Sequence, residues 1–288
     1  MSVIDTAQPV GHEPSSKSAD ANFGARRFGR VNWLGLWTLY AKEVRRFLKV
    51  IFQTVVAPVI STLLFLIVFT QAFADSRPDI NGVPFVEFLA PGLIMMAVLT
   101  NAFTNSASSL IISKVQGSIV DVLMPPLSAA EIAVAFIAGA ATRGLLVGFV
   151  TAVTCASFMF AIGTPMQVQA VSAILYFSLI AAIIFAAIGV IGGIWADKFD
   201  QMAAVTNFVI TPLTFLSGTF YSIERLPEPF RTISHYNPVY YMIDGFRSGF
   251  TGVAEAPMSI GIGITVFFAI LFSAIAYLML RTGYKIKE

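Results

Sequence analysis

The chain has a single cysteine and two histidines, and it carries few charged residues for its length. Cys155 lies in an apolar run, so an intrachain disulfide is impossible and a cysteine metal site is not expected. His12 and His235 are far apart in the sequence, which argues against a histidine-based zinc site. There is also no Gly-Lys pair of a phosphate-binding loop, no G-x-S-x-G elbow and no H-E-x-x-H pattern. The usual residue patterns of nucleotide binding and hydrolytic catalysis are therefore missing.

The composition places the chain in a membrane. Only 12% of the 288 residues are charged, 57% are hydrophobic, and the mean hydropathy is +0.79. Soluble domains carry about 25% charged residues. The net charge of +2 says less than the positions of the charges along the chain. The sequence therefore predicts an integral membrane protein.

The segment before the first apolar stretch has two parts. The segment 1–32 is polar and contains several prolines and serines, which predicts a disordered tail. No short apolar signal-peptide core follows its arginines, so no cleavage is expected. From Trp33 the sequence predicts an amphipathic helix with a basic face. Such a helix can lie in the membrane interface, and it can also lead into the first span; the two interpretations are compatible. Its apolar residues are Trp33, Trp37, Tyr40, Val44, Phe47, Leu48 and Ile51.

Six stretches are long and apolar enough to cross a bilayer, which needs about 20 residues. The sequence therefore predicts an all-α integral membrane protein with six transmembrane helices. Their approximate bounds are Val50–Phe73, Phe88–Ile112, Ile132–Ile162, Val171–Trp195, Met202–Phe220 and Ser259–Leu280. The third stretch is longer than one crossing requires, so its first turns are expected to project beyond the membrane.

The basic residues predict the orientation, because lysine and arginine are enriched in cytoplasmic loops. Six spans place thirteen basic residues on the side of the termini and four on the other side. Both termini are therefore expected on the cytoplasmic side of the membrane. The thirteen are Lys17, Arg26, Arg27, Arg30, Lys42, Arg45, Arg46, Lys49, Lys114, Lys198, Arg281, Lys285 and Lys287, and the four are Arg77, Arg225, Arg231 and Arg247.

The segment Ser113–Glu131 joins the second and third predicted spans on the cytoplasmic side. Ile119, Val122 and Leu123 can share one face of a short helix, and the pair Pro125-Pro126 stops it. Such a helix is suited to the groove of a partner protein. An ordinary interhelical loop is the alternative.

Several polar residues lie inside apolar stretches. Arg143 in the third span is either an intramembrane functional charge or an interfacial residue that extends towards the headgroups. The second span contains polar residues that predict helix packing rather than a water-lined path. Those residues are Thr100, Asn101, Thr104, Asn105, Ser106, Ser108 and Ser109.

The segment Pro212–Phe250 leaves the apolar pattern on the outer side. Prolines Pro227, Pro229 and Pro238 divide it, and apolar residues from Val239 onward recur at helical spacing. The last piece is therefore predicted to be a helix that re-enters the outer leaflet and forms part of an outer gate. Its aromatic residues favour an interfacial belt, with stacking on sugars as the alternative. They are Phe220, Tyr221, Tyr236, Tyr240 and Tyr241.

Nearly all of the chain from Trp33 onward resembles permeases of the ABC-2 type exporter family, most closely the YadH-like subgroup. Seven segments carry the resemblance together, through their order and spacing. They are AKEVRRF at Ala41–Phe47, FLAPGLIMM at Phe88–Met96, TNAFTNSASSL at Thr100–Leu110, the segment Gly117–Glu131, TRGLLVG at Thr142–Gly148, PLTFLSGTFYS at Pro212–Ser222 and LPEPFRTISHYNPVYYMIDGFRSGF at Leu226–Phe250.

The resemblance implies a multi-pass protein of the bacterial inner membrane, with a transmembrane domain over 33–288 that has six spans and an N-terminal interface helix. It further implies a cytoplasmic coupling helix between spans two and three, and re-entrant helices before span six. The chain would be a transport subunit rather than an enzyme, forming a dimeric pathway for an amphiphilic drug, lipid, glycolipid or polysaccharide. ATP and magnesium would bind a separate ATPase subunit, so no cofactor is expected in this chain. Its other partners would be a second permease copy and membrane lipid, with no nucleic acid.

The resemblance also assigns residues position by position. The residues that would couple to the ATPase are Gly117, Ser118, Asp121, Leu123 and Pro125 in the coupling segment and Glu43 in the interface helix. The outer motif contains Pro212, Ser217, Gly218, Phe220, Pro227, Asn237, Pro238, Gly245 and Arg247.

Two other classes of protein compete with this hypothesis. A polytopic membrane enzyme acting on lipid-linked substrates would need clustered acids or histidines. The pairs Asp197/Asp200 and Glu224/Glu228 are available for that, and Asp197/Asp200 is better explained as a solvated turn. A self-sufficient channel or ion-driven carrier would need acidic residues inside the spans, and none lies near mid-span.

Overall fold

A computed structural model of the chain describes residues 29, 31–73, 79–80 and 82–285. This part of the chain consists of helices and connecting turns, and the one β-bridge within it joins Ile80 and Val83. The all-α prediction is confirmed. The predicted disordered tail lies outside the described residues, apart from 29, 31 and 32.

Eleven α-helices occur in the described residues. They are α1 Trp33–Leu48, α2 Ile51–Phe73, α3 Phe85–Val115, α4 Ile119–Leu123, α5 Ala129–Ala161, α6 Val171–Trp195, α7 Phe199–Val205, α8 Thr211–Phe215, α9 Phe230–Tyr236, α10 Pro238–Thr251 and α11 Met258–Thr282. A π-helical turn at Thr206–Ile210 joins α7 to α8.

Five of these helices, α2, α3, α5, α6 and α11, are long and apolar enough to cross a membrane. They correspond to the first, second, third, fourth and sixth predicted spans. The predicted bounds agree with the observed bounds within a turn or so at each end. The structure thus confirms five helices of membrane-spanning length in the described residues.

The predicted fifth span, Met202–Phe220, is not a uniform α-helix. It consists of α7, the π-helical turn and α8, and it ends at Phe215. The Thr211 hydroxyl donates to the Thr206 carbonyl five residues earlier at 3.0 Å, which matches the wider π turn. Gly218 then takes a positive φ of 74°, a left-handed conformation that ends the helical path before Phe220.

Helix α5 has 33 residues, about 50 Å of helix, which exceeds the hydrocarbon thickness of about 30 Å. A capping box fixes its start: Ser128 accepts from the Glu131 amide, and Glu131 accepts from the Ser128 amide at 2.6 Å. The helix therefore begins three residues before the predicted Ile132. Its excess length agrees with the prediction that one end projects beyond the membrane.

The two ends of α3 define the two ends of the bundle. Near its start, the Phe88 carbonyl accepts from Arg247 of α10 at 3.1 Å. Near its end, Lys114 donates to the Ile194 and Ala196 carbonyls at the end of α6, both at 2.8 Å. These are called the Phe88 end and the Lys114 end. Helix α3 is the most deeply buried of the spanning helices.

Glycines allow α6 and α5 to approach the backbone of α3. A Cβ atom on Gly189 of α6 would lie 2.2 Å from Ser106 Oγ and 2.4 Å from the Phe103 carbonyl oxygen. A Cβ atom on Gly144 of α5 would lie 2.8 Å from the Val98 carbonyl oxygen. Small residues at such crossings let helices pack closely in the absence of a hydrophobic driving force between them.

The crossing of α3 and α6 gives a stability prediction. Gly189→Ala should destabilise the protein by about 1–3 kcal/mol, because the methyl group overpacks the contact with Ser106 and Phe103. The matched control is Gly263→Ala in α11, where a Cβ would meet nothing within 4 Å. Alanine should be neutral or slightly stabilising there, since it favours a helix by up to about 1 kcal/mol over glycine. Thermal unfolding of the detergent-purified variants measures both effects, and equal melting temperatures would contradict the prediction.

Candidate functional site

Helix α1 lies against the start of α5 at the Lys114 end. The Asn32 side chain caps α1 by accepting from the Gly35 amide at 2.9 Å, and it donates to the Pro126 carbonyl at 3.2 Å. The Asn32 amide donates to the Glu131 carboxylate at the first turn of α5. Trp33 and Trp37 remain exposed on the other face of α1. The predicted amphipathic helix is present, with its N-terminus joined to α5.

The buried face of α1 carries a carboxylate. Glu43 is only 2% exposed, and its Oε2 accepts from Ser109 of α3 at 2.7 Å and from the guanidinium of Arg46 at 3.2 Å. Arg46 also donates to the carbonyl and the side-chain oxygen of Asn105, each at 2.9 Å. Glu43, Arg46, Asn105, Ser109 and Arg143 are together called the α1 polar cluster.

Arg143 of α5 completes this cluster. Its guanidinium donates to Asn105 Oδ1 at 3.3 Å and to Asn101 Oδ1 at 3.4 Å. Asn105 lies 20 residues after Phe85, the first residue of α3, which is about 30 Å of helix. The cluster thus lies about one hydrocarbon thickness from the start of α3. Arg143 is therefore bonded inside the bundle, at this distance from the start of α3.

The polar residues of the second predicted span divide into two groups. Asn101, Asn105, Ser106 and Ser109 are buried and bonded, with Ser106 donating to the Ala186 carbonyl of α6 at 2.8 Å. These contacts support the predicted role in helix packing. A second group, spaced by four residues, is exposed or half-buried on another face of α3. It consists of Thr100, Thr104 and Ser108.

The predicted coupling segment forms α4, which Gly117 precedes with a positive φ of 71°. Val122 is buried against the bundle, whereas Leu123 is exposed, so the prediction that they share one face is wrong for Leu123. A five-residue helix that is packed on one side must turn its neighbouring positions outward. Asp121 lies in the first turn, and Met124 is 76% exposed.

The coupling segment and α1 meet. Besides the Asn32 bond to Pro126, a Cβ on Gly35 would lie 2.7 Å from the Leu127 side chain, so the two chain segments are in close contact. Ser118 and Pro125 flank α4 on either side. The family resemblance assigned these two segments to coupling with the ATPase, and the structure places them side by side at the Lys114 end.

A second polar centre lies at the Phe88 end around Arg247 of α10. Arg247 is 2% exposed, donates to the carbonyls of Phe88 and Gly218 at 3.1 and 2.6 Å, and lies 3.6 Å above the Phe88 ring. Asp244, one turn earlier, accepts from the amides of Glu255 and Ala256, two bonds at 3.0 Å. Arg247 thus ties the segment after α8 to the start of α3.

Most residues predicted for the outer motif lie close to this centre. Asn237 caps α10 and donates to Ser217 Oγ at 2.7 Å, and Pro238 occupies the first turn of α10. The Phe220 ring lies within 5.6 Å of the Phe69 ring of α2, measured between centroids. Gly245 leaves room for Phe177, whose ring a Cβ would meet at 2.3 Å.

Two predicted outer residues are less central. Pro212 lies in the first turn of α8, directly after the π-helical turn and inside a continuous helical path, where its missing amide removes one backbone hydrogen-bond donor. The Pro227 carbonyl accepts from the Phe230 amide at the start of α9, on the exposed side of the segment. Neither residue contacts the Arg247 centre through a hydrogen bond in the described part of the chain.

The sequence interpretation of Asp197 as a solvated turn is incomplete. Asp197 bridges Lys285 at 2.9 Å and Lys114 at 3.3 Å, which joins the ends of α3, α6 and α11. Hydrogen bonds from Lys285 and Lys114 lower the pKa of the Asp197 carboxyl. The pairing therefore stabilises the fold above the unfolded pKa of about 3.9, and this stabilisation is lost as the pH falls through the lowered pKa. Nothing in the local sequence indicated it, because Lys285 is far away along the chain.

Asp244 was not predicted either. From the sequence, an acidic residue on a short helix would be expected to face water. The structure shows that Asp244 is buried, because the loop after α10 packs onto its carboxylate.

No group of three or more histidine, cysteine, aspartate or glutamate side chains suited to a metal occurs among the described residues.

These features define a multi-span helical membrane protein with buried polar centres at both ends of the bundle. The family profile described as "ABC-2 type transporter" matches residues 35–251. The chain belongs to the ABC-2 type transporter family.

Individual relatives support the same conclusion. The chain is 37% identical to the inner membrane transport permease YadH of Escherichia coli strain K12 over 251 residues, covering 87% of this chain and 96% of YadH. It is 24% identical to nodulation protein J of Rhizobium leguminosarum bv. viciae over 259 residues, covering 88% and 95% of the two chains. The sequence-based identification is confirmed, and the chain is an ABC-2 permease subunit of a transporter in the inner membrane.

The Arg247 centre gives a second prediction. Arg247→Met should lower the free energy of unfolding by about 1–3 kcal/mol, because the buried carbonyls of Phe88 and Gly218 lose a charged donor. Arg231→Met is the control, since Arg231 pairs with Glu224 on the exposed surface, where a salt bridge contributes about 1 kcal/mol or less. Thermal unfolding in detergent measures the difference. A larger loss for Arg231→Met would contradict the role assigned to Arg247.

Proposed function

We propose that the chain is the permease subunit of an exporter, and that two copies form the pathway for an amphiphilic substrate. A separate ATPase subunit binds ATP and magnesium and drives the transport, and this chain holds no cofactor. The contact between α1 and the coupling segment carries the proposal. Both segments lie at the Lys114 end, where one partner can push on both at once.

The exposed apolar residues of the coupling segment suit a docking role. Val120 and Met124 are exposed at the Lys114 end, whereas Val122 anchors α4 to the bundle. Apolar side chains on a short exposed helix are typical of a helix that enters a partner's groove. Gly117, Ser118, Asp121, Leu123 and Pro125 would form or flank the surface that the ATPase contacts.

The α1 polar cluster would carry the motion into the membrane. Glu43 joins α1 to α3 through Ser109, and Arg46 and Arg143 join α1 and α5 to Asn105. A movement of α1 is therefore coupled to both helices. Helix α5 is our candidate for the lever, because it extends from the coupling segment across the membrane.

The proposed topology has six crossings with both termini in the cytoplasm. The fifth crossing would be the segment α7–π turn–α8: Met202 in α7 lies beside Gly192 of α6, and Thr219, just after α8, lies beside Gly92 of α3. Helix α10 has 14 residues, about 21 Å, which is too short to cross a bilayer. It therefore suits a re-entrant helix, and with α9 and the Arg247 centre it would form the outer gate.

The uncovered surfaces suit a pathway shared with a second copy and lipid. Only 17% of the apolar window of α2 is buried within one chain. The stripe Thr100, Thr104, Ser108 on α3 is polar and uncovered, which favours a path that receives the polar part of an amphiphile. Within the described residues, no metal-binding group supports the competing hypothesis of a membrane enzyme.

Docking of the ATPase is tested by charge substitutions on α4. Val120→Glu and Met124→Glu should reduce co-purification with the ATPase subunit about tenfold, because a buried charge opposes an apolar contact. Ile233→Glu on α9, also exposed and apolar, is the control and should bind normally. The result to look for is the ATPase:permease ratio after affinity purification. Normal binding by both α4 variants would refute the docking site, and ATPase-independent transport would refute the proposed function.

The topology is tested by cysteine labelling, for which the chain is well suited because its one cysteine, Cys155, is buried. In a Cys155→Ala background, Ile233→Cys should react with a membrane-impermeant maleimide from outside the inner membrane. Met124→Cys should react only after the membrane is opened. Both positions are exposed, so access alone decides the outcome. Labelling with the opposite sidedness would overturn the orientation and the outer gate together.

A further inference from the structure

The α1 polar cluster has an excess of positive charge. It contains two guanidinium groups, Arg46 and Arg143, and one carboxylate, Glu43. The Glu43 oxygen that contacts Arg46 also accepts from Ser109. Arg143 makes no salt bridge with any described residue, and its two hydrogen bonds go to neutral amide oxygens at 3.3 and 3.4 Å. Charged donors of this kind usually form shorter bonds with anions.

The same cluster has too few acceptors. Asn105 Oδ1 accepts from both Arg46 and Arg143, so two cations share one neutral oxygen. Asn105 Nδ2 and Arg143 Nε are buried without a hydrogen-bond partner among the described residues. Asn105 itself is 1% exposed. Both unpaired groups are donors, and burying a donor without a partner costs free energy. The missing component is therefore an acceptor, and the net charge calls for an anionic one.

The depth of the cluster indicates where such an anion would come from. Asn105 lies about 30 Å along α3 from Phe85, which equals the hydrocarbon thickness of a bilayer. With the start of α3 at one membrane edge, the cluster lies at the opposite edge, at the level of the lipid headgroups. The Arg46 side chain is 28% exposed and Arg143 is half-buried, so the cluster is accessible from outside the bundle.

We propose that Arg143, with Arg46 and Asn105, binds the phosphate or another oxyanion head group of an amphiphile in the leaflet on the Lys114 side. A guanidinium presents two parallel donors that match two oxygens of a phosphate. The anion would balance the charge excess and accept from the unpaired donors after a small side-chain adjustment. This inference goes beyond the proposed function, because it requires neither the ATPase subunit nor transport.

The test measures binding of defined anions to the purified full-length permease in detergent. Phosphatidylglycerol, phosphatidylcholine and inorganic phosphate are titrated separately, and the melting temperature is followed. We expect phosphatidylglycerol to raise the melting temperature of the unmodified protein more than phosphatidylcholine does. Arg143→Gln should weaken this apparent affinity about tenfold, as expected for the loss of a charged hydrogen-bond donor. Arg281→Gln is the control, because Arg281 is an exposed basic residue in the last turn of α11.

The three ligands distinguish the sources of the anion. A response to phosphatidylglycerol alone identifies a lipid head group, and an equal response to inorganic phosphate identifies a free anion. Either result supports the site if Arg143→Gln weakens the response about tenfold. An unchanged response in Arg143→Gln, or an equal loss in Arg281→Gln, overturns the proposal in favour of general surface charge. Arg143→Lys keeps the charge without the two parallel donors, so an intermediate affinity is expected. It provides the same test if the glutamine variant does not fold.

Discussion

Polar side chains carried by α3 into the apolar bundle constrain the helices around it, because a polar group removed from water must find a partner. Ser106 reaches the α6 backbone, Ser109 reaches Glu43 of α1, and Lys114 holds the last carbonyls of α6. Lipid offers no competing partner for these groups. The contacts therefore select one arrangement of α1, α3 and α6 among the many that apolar packing alone would allow.

The same helix joins the two ends of the molecule. Phe88, in the Arg247 centre, and Asn105, in the α1 polar cluster, are 17 residues apart on α3, or about 25 Å. Both are held by arginines that donate to α3, one from α10 and one from α1. In the proposed exporter, a continuous helix between these arginines provides a mechanical connection between the ATPase side and the outer gate. Its glycine-mediated contacts with α5 and α6 leave little room for independent movement of α3.

Local patterns predicted the long helices well and their interruptions less well. Apolar length was sufficient for α2, α3, α5, α6 and α11, since a spanning helix satisfies its own backbone. The fifth stretch is apolar but interrupted by threonines and a proline, and it contains a π turn in which the Thr211 hydroxyl donates to the Thr206 carbonyl. The face assigned to Leu123 was also wrong, because a five-residue helix has no periodicity long enough to define its buried side.

Arg143 shows most clearly what the sequence alone could not decide. A single arginine in an apolar run left an intramembrane charge and an interfacial residue equally possible. The structure shows that its guanidinium is bonded to Asn101 and Asn105 of α3. The partners of Arg143 depend on the register between α5 and α3, which glycine contacts such as that of Gly144 with Val98 help to fix and the sequence of α5 alone does not.

By itself the sequence determined the class of protein, the family, the length of five spanning helices and the positions of α1 and α4. Those properties depend on apolar length, amphipathic period and local motifs, all of which are local along the chain. Only the tertiary structure decided that α1 meets the coupling segment, that Asp197 bridges two lysines, and that Arg143 has no anionic partner among the described residues. Each of these facts joins residues distant in sequence, and their pairing follows from how closely the helices approach.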